Sequence, residues 1–109
     1  MATTLKLYRG HAFLGGRGVA HEVRTEVERR LAESERSVIV LDFAGVEGVS
    51  HSFADELLSP LSERFDQQVS RRVKLVNVAE EVAEDLKLVA DMHGLYVPEV
   101  EGSASLSAA

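Results

Sequence analysis

The segment Val38-Ile39-Val40-Leu41-Asp42-Phe43-Ala44-Gly45-Val46-Glu47-Gly48-Val49-Ser50-His51-Ser52-Phe53-Ala54-Asp55-Glu56-Leu57-Leu58 carries a strand, a turn and a helix start in immediate succession. Four consecutive apolar residues, Val38 to Leu41, read as a strand buried on both faces, as in a parallel sheet with helices packed on it. Gly45 and Gly48 punctuate the turn. Phe53, Leu57, Leu61 and Phe65 then recur at helical spacing, with Ala54 and Leu58 beside them. Parallel sheets gather their loops and ligands at the carboxyl ends of their strands. Here that loop holds Ser50, His51 and Ser52, with Asp55 and Glu56 directly after, which makes it the first place to look for a functional site.

Working outward, Ser52 is the expected N-cap of the second helix, with Asp55 three residues on as a variant capping box. Asp55 and Glu56 fall in the first turn, where the helix dipole favours negative charge. Pro60 either kinks one helix running to about Gln68, the favoured reading, or opens a second helix capped by Ser59. Residues 73–78 form the third strand, and Asn77 with Glu80 marks the next helix start. Val82, Leu86, Val89 and Ala90 trace its apolar stripe to His93, and Gly94 ends it. Residues 95–97 are expected to fold back on the core. Upstream, residues 5–8 alternate apolar and polar as a first strand. Residues 12–14 either continue it or link it to Gly15-Gly16-Arg17-Gly18, a tight strand-to-helix turn. Val19, Val23, Val27 and Leu31 give the first helix an apolar stripe as far as Glu33, opposite a solvated charged face. The order strand, helix, strand, helix, strand, helix predicts an α/β fold with a small, mostly parallel sheet and helices packed on it. Residues 1–98 form one domain, and the small, polar residues 99–109 a flexible tail.

The 109 residues suit one domain, and a formal net charge of -6 argues against a partner held by nucleic-acid phosphates or anionic lipid. Without cysteine, thiolate chemistry and disulfides are excluded. No run reaches membrane-spanning length and the first residues lack the apolar core of a signal peptide, so a cytoplasmic protein of bacterial type is the default expectation. No cofactor and no metal are expected.

Ser52 is a candidate phosphoacceptor, because free N–H groups at a helix start stabilise a phosphate; its role as a simple cap is the competing reading. Ser50 is the second candidate. His51 lies between two serines, but neighbours in sequence rarely face each other and no distant Asp–His pair completes a triad. It is therefore read as an exposed loop histidine. Asp42 is the acid at the strand end. With Asp55 and Glu56 it could in principle hold magnesium, but no phosphate-binding loop accompanies it, and hydrogen bonding to its own turn is the stronger reading. Arg17 is expected to reach toward Asp42, Asp55 or Glu56.

The segments VIVLDFAGVEGVSHSFADELL and VKLVNVAEEVAEDLKLVADMHGL, with an Arg in the glycine-rich turn before the first helix, resemble the STAS domain of bacterial anti-sigma factor antagonists. More narrowly, LDF.GV followed by SFADEL is similar to the STAS-like family of undetermined function. The resemblance runs from about Gly15 to Gly94. It implies a non-enzymatic regulatory domain that docks on a histidine-kinase-like ATPase or serine kinase and is switched by serine phosphorylation. In the antagonists the loop reads Asp-Ser-Ser/Thr-Gly. Here Ser50 stands in place of the Asp, His51 in place of the usual phosphoacceptor, Ser52 at the following Ser/Thr and Phe53 at the Gly. The chain thus keeps the frame and departs from the phosphorylation motif. The partner-facing residues so implied are Arg17, Val49, Ser50, His51, Ser52, Phe53, Asp55 and Glu56. Two other readings stay open: a small nucleotide- or phosphate-binding module or enzyme using Asp42, Ser52, Asp55 and Arg17, and a structural or dimerisation subunit. Homo-oligomerisation is left open as well.

Overall fold

The computed structural model describes residues 2–65 and 68–94. Its elements are β1 (Ala2–Lys6), β2 (Phe13–Leu14), α1 (Arg17–Glu33), β3 (Val38–Asp42), β4 (Gly48–Val49), α2 (His51–Phe65), α3 (Gln68–Arg72), β5 (Val73–Val76) and α4 (Glu80–Met92). The main sheet is parallel, in the order β1-β3-β5. The strand expected at its centre is there. β2 and β4 form a second, two-residue parallel pair, and residues 12–14, left open above, supply one of its strands. These two short strands are additions to the simple alternation expected from the pattern. The first strand lies at Ala2–Lys6 rather than residues 5–8. Leu7 then extends its ladder by donating to the carbonyl of Asp42 at 2.9 Å.

Register explains the core. Thr3, Ile39 and Val73 lie abreast on one face of the sheet, and so do Leu5, Leu41 and Leu75. Ile39, Leu41, Val73 and Leu75 are buried, whereas Val38, Val40, Lys74 and Val76 are only half-buried and Thr4 and Lys6 are exposed. β3 is therefore deeply buried on one face and not on both. The run Val38 to Leu41 looked continuous because Val38 and Val40 are apolar residues on the more open face. α1 packs on α2 and α2 on α4. From these helices Ala20, Val23, Val27 and Leu31 join Phe53, Leu57 and Leu61 and then Val82, Leu86 and Val89 in one core. Burying each such side chain fully contributes roughly 1.5–3 kcal/mol.

Two helix starts differ from expectation. α2 begins at His51, two residues earlier than a Ser52 cap allows, and Ser50 occupies the cap position. α4 begins after Ala79 with no side-chain cap. Asn77 is not its cap; it sits at φ 55° and turns its amide onto Asp42. α2 contains Pro60 and is described as far as Phe65; helix is described again over Gln68–Arg72, and residues 66 and 67, across which one kinked helix was expected to run, lie outside the described residues. Gly94, at φ 69°, ends α4, its N–H donating to the Asp91 carbonyl at 3.1 Å. The expected return of residues 95–97 and the tail at 99–109 lie outside the described residues. No helix among the described residues is long and apolar enough to cross a membrane.

Candidate functional site

The site is built where β2 and β4 end side by side. Leu14 and Val49 are partners in register, and α1 and α2 start within three residues of them. Ser50 fixes the junction. Its N–H donates to the Leu14 carbonyl at 3.0 Å, and its Oγ accepts from the Phe53 N–H at 3.0 Å and donates to the Gly15 carbonyl at 3.0 Å. One hydroxyl thus caps α2 and ties it to the glycine turn ahead of α1.

Past that cap the helix sorts its residues by angle. Phe53 and Ala54 are wholly buried, and His51 and Ser52 face solvent. Val49 is 4% exposed and Phe53 0%. Both were expected on a partner-facing surface and both belong to the core: Val49 ends a strand on its inward side, and Phe53 falls on the inner stripe with Leu57 and Leu61. The exposed residues gather instead around a shallow depression of ≈ 240 Å³ lined by Arg17, His51, Ser52, Asp55, Val89 and Met92.

Two histidine–carboxylate pairs cross from α2 to α4 in opposite senses. His93 Nε2 lies 2.7 Å from Asp55 Oδ1, and His51 Nε2 lies 3.6 Å from Asp85 Oδ1. Asp55 therefore serves the α4 contact, not a capping box with Ser52. Beside it, Glu56 bridges two cations of α1. Arg17 Nη1 donates to one carboxylate oxygen at 3.2 Å and Arg24 Nη2 to the other at 3.1 Å. Arg24 continues to Glu28 at 3.0 Å and to His21 Nδ1 at 2.7 Å. The rest of the charged face of α1 is laced by pairs one turn apart, among them Arg29 with Glu33 and Arg30 with Glu26.

Asp42 is occupied elsewhere. Its Oδ1 accepts from Asn77 Nδ2 at 3.0 Å and from the Ala44 N–H at 2.9 Å. These two bonds, the Asn77 bond first, hold its carboxyl below the usual carboxylate range, against a smaller desolvation effect; Lys6 next to it in register adds a little more. Among the described residues no three His, Asp or Glu side chains converge as metal ligands, so Asp42, Asp55 and Glu56 do not form the magnesium site considered above.

Arg24, Asp85 and Met92 were not singled out from sequence, and Val89 and His93 were read only as the apolar stripe and the end of α4. The α4 residues carried the one usable signal: 85, 89 and 92 to 93 recur one turn apart. Nothing in their spacing told that this line of α4 would meet the start of α2.

Residues 19–83 match the family described as STAS-like domain of unknown function (DUF4325). Neither a curated protein nor a solved structure matches the chain.

Proposed function

The chain belongs to the family of STAS-like domains of unknown function, and from that premise we propose that it is a non-enzymatic regulatory domain that docks on a histidine-kinase-like ATPase or serine kinase through the start of α2. The observation that carries this reading is the exposed corner itself. His51, Ser52, Arg17 and Asp55 surround one depression at the two helix starts. The contacting set is narrower than the resemblance implied: Val49 and Phe53 hold the helix from inside, and Ser50 holds it from the turn.

Ser52 is the phosphoacceptor in this reading. Its side chain is exposed on the first turn, whereas the Ser50 hydroxyl is engaged in two hydrogen bonds. A phosphate on Ser52 adds about 1.5 to 2 negative charges beside Asp55 and Glu56 and weakens an interface that meets them with like charge. The test is incubation of the purified chain with a candidate cognate histidine-kinase-like ATPase and ATP, followed by intact-mass analysis and co-purification. One phosphate, absent in Ser52→Ala, and a complex with the unmodified chain support the reading. The absence of both phosphate and complex sinks it.

A further inference from the structure

α4 presents a second face that the corner does not explain. Its inner side, Val82, Ala83, Leu86, Val89 and Ala90, is in the core. On its outer side Leu88 is 50% and Met92 72% exposed, and the two lie one turn apart. Glu81 and Asp85 continue the same line toward the helix start, at spacings of seven and three residues from Leu88. Glu84 and Asp91 flank it. The sequence of α4 is EEVAEDLKLVADM, five carboxylates against the single cation Lys87. An exposed apolar ridge set in an acidic helix is a surface whose complement is basic and amphipathic.

We infer that the α4 ridge is a docking face for a basic amphipathic helix, with apolar residues seated on Leu88 and Met92 and Lys or Arg side chains against Glu81, Glu84 and Asp91. Charge selects this occupant over the two nearer at hand. A second copy placed symmetrically on the ridge sets five carboxylates of one α4 against five of the other. The chain's own residues 95–109 contain Glu99 and Glu101 and no Lys, Arg or His, so they bring like charge as well. The inference goes beyond the reading of the α2 corner: Glu81, Glu84 and Leu88 lie outside the depression, and Met92 alone is shared with it.

The probe is a labelled synthetic amphipathic helix of leucine and lysine, roughly 18 residues long, titrated with the full chain by fluorescence anisotropy. Its leucine–glutamate counterpart is the control. The expected result is saturable binding with Kd on the order of 10 µM for the lysine peptide and none for the glutamate peptide. Leu88→Ser with Met92→Ser weakens it about tenfold or more, and Glu84→Gln with Asp91→Asn flattens its salt dependence. These side chains are exposed, and unchanged thermal melts show that the variants fold. Absence of binding overturns the inference, as does binding indifferent to Leu88→Ser with Met92→Ser, which is charge attraction alone. Concentration-dependent self-association abolished by Leu88→Ser means that a second copy is the occupant and overturns it too. So do amide shifts in residues 95–109 on Leu88→Ser, which identify the chain's own end as the cover. No ATPase enters the experiment, so its outcome stands apart from the fate of the kinase reading.

Discussion

Ser50 donates its hydroxyl proton to the carbonyl of Gly15, 35 residues away in the chain and 3.0 Å away in space. The same oxygen accepts from the Phe53 N–H, so one side chain both caps α2 and pins the turn that starts α1. Removing it loses the cap and the tie together. Ser50→Ala is expected to destabilise the domain by about 1–2 kcal/mol. Ser52→Ala, at an exposed first-turn position without the capping bond, stays within about 0.5 kcal/mol. Chemical denaturation of both variants beside the parent decides it. Equal losses, or a larger loss at Ser52, contradict the assignment of the cap.

Arg72 is a buried cation, with 8% of its surface exposed. Its Nε donates to the Ser37 carbonyl at 3.0 Å, and its Nη2 donates to the Leu31 carbonyl at 2.9 Å and to the Ser34 carbonyl. Leu31 and Ser34 lie at the end of α1, where carbonyls have no partner within the helix. Arg72 thus closes the turn that delivers the chain from α1 into β3. Arg72→Met keeps much of the volume and removes these donors, and a loss of roughly 2–4 kcal/mol is expected. Arg72→Lys recovers only part of it, since a single ammonium cannot reproduce the planar fork of donors. Thermal melts of the two variants are the measurement, and a lysine variant as stable as the parent would contradict the fork geometry.

How much of this was legible in the sequence depended on range. The stripe Val19, Val23, Val27, Leu31 fixed α1 because helical period is a local signal. The run Val38 to Leu41 placed the central strand because few other apolar runs compete with it. The cap was missed by two residues: Ser50 and Ser52 both precede a helical pattern, and only the carbonyl of Gly15, brought in by the β2–β4 pair, selects between them. Asn77 misled for the same reason, since an Asn before a helix signals a cap unless a distant acceptor such as Asp42 takes its amide. Arg72 gave no signal at all, because its partners are backbone carbonyls, which every residue has. In the candidate site, Arg17 was read as reaching Asp42, Asp55 or Glu56, and Glu56 is the one it meets. The approach of α4, with Asp85 and His93, depended on helix packing that spacing along the chain does not encode.

Asp42 gives the domain an acid-side limb. Its carboxyl is held below the usual range chiefly by the Asn77 amide and next by the Ala44 N–H. A carboxylate whose folded-state value is depressed stabilises the fold above its unfolded value, about 3.9, and that contribution is lost as pH falls through the lower folded value. Asn77→Gly removes the side-chain bond and relieves the positive φ of 55°; Asn77→Ala removes the same bond and keeps the strain. The glycine variant is therefore expected to be the more stable of the two, and in both the loss relative to the parent is present at neutral pH and shrinks toward pH 3. Because Asp42 is only half-buried, screening keeps the effect near the lower end of the roughly 0.5–1.5 kcal/mol range for a hydrogen bond. Denaturation midpoints across acid and neutral pH test this; a loss that grows as pH falls has the wrong sign.

Glu56 separates two kinds of ion pair within one carboxylate. Its side chain is 23% exposed and meets Arg17, which is 59% exposed, and Arg24, which is 12% exposed. Solvent screens the first pair and leaves an exposed guanidinium that loses rotamer freedom to make it, so a coupling of about 0.5 kcal/mol or less is expected there. The second lies between α1 and α2. Arg24 also holds Glu28 and His21, and its buried Nε has no acceptor among the described residues. Removing Glu56 therefore leaves a largely buried cation short of one carboxylate, which costs more than the pair contributes. Double-mutant cycles with Glu56→Gln measure both terms against Arg17→Met and Arg24→Met. A coupling of roughly 1–2 kcal/mol is expected for Arg24 and a several-fold smaller one for Arg17, so that Arg17 can be altered at the proposed docking corner without loosening the α1–α2 seam. If the Arg17 coupling proves the larger, the corner and the seam are one structural unit, and Arg17 variants report folding rather than docking.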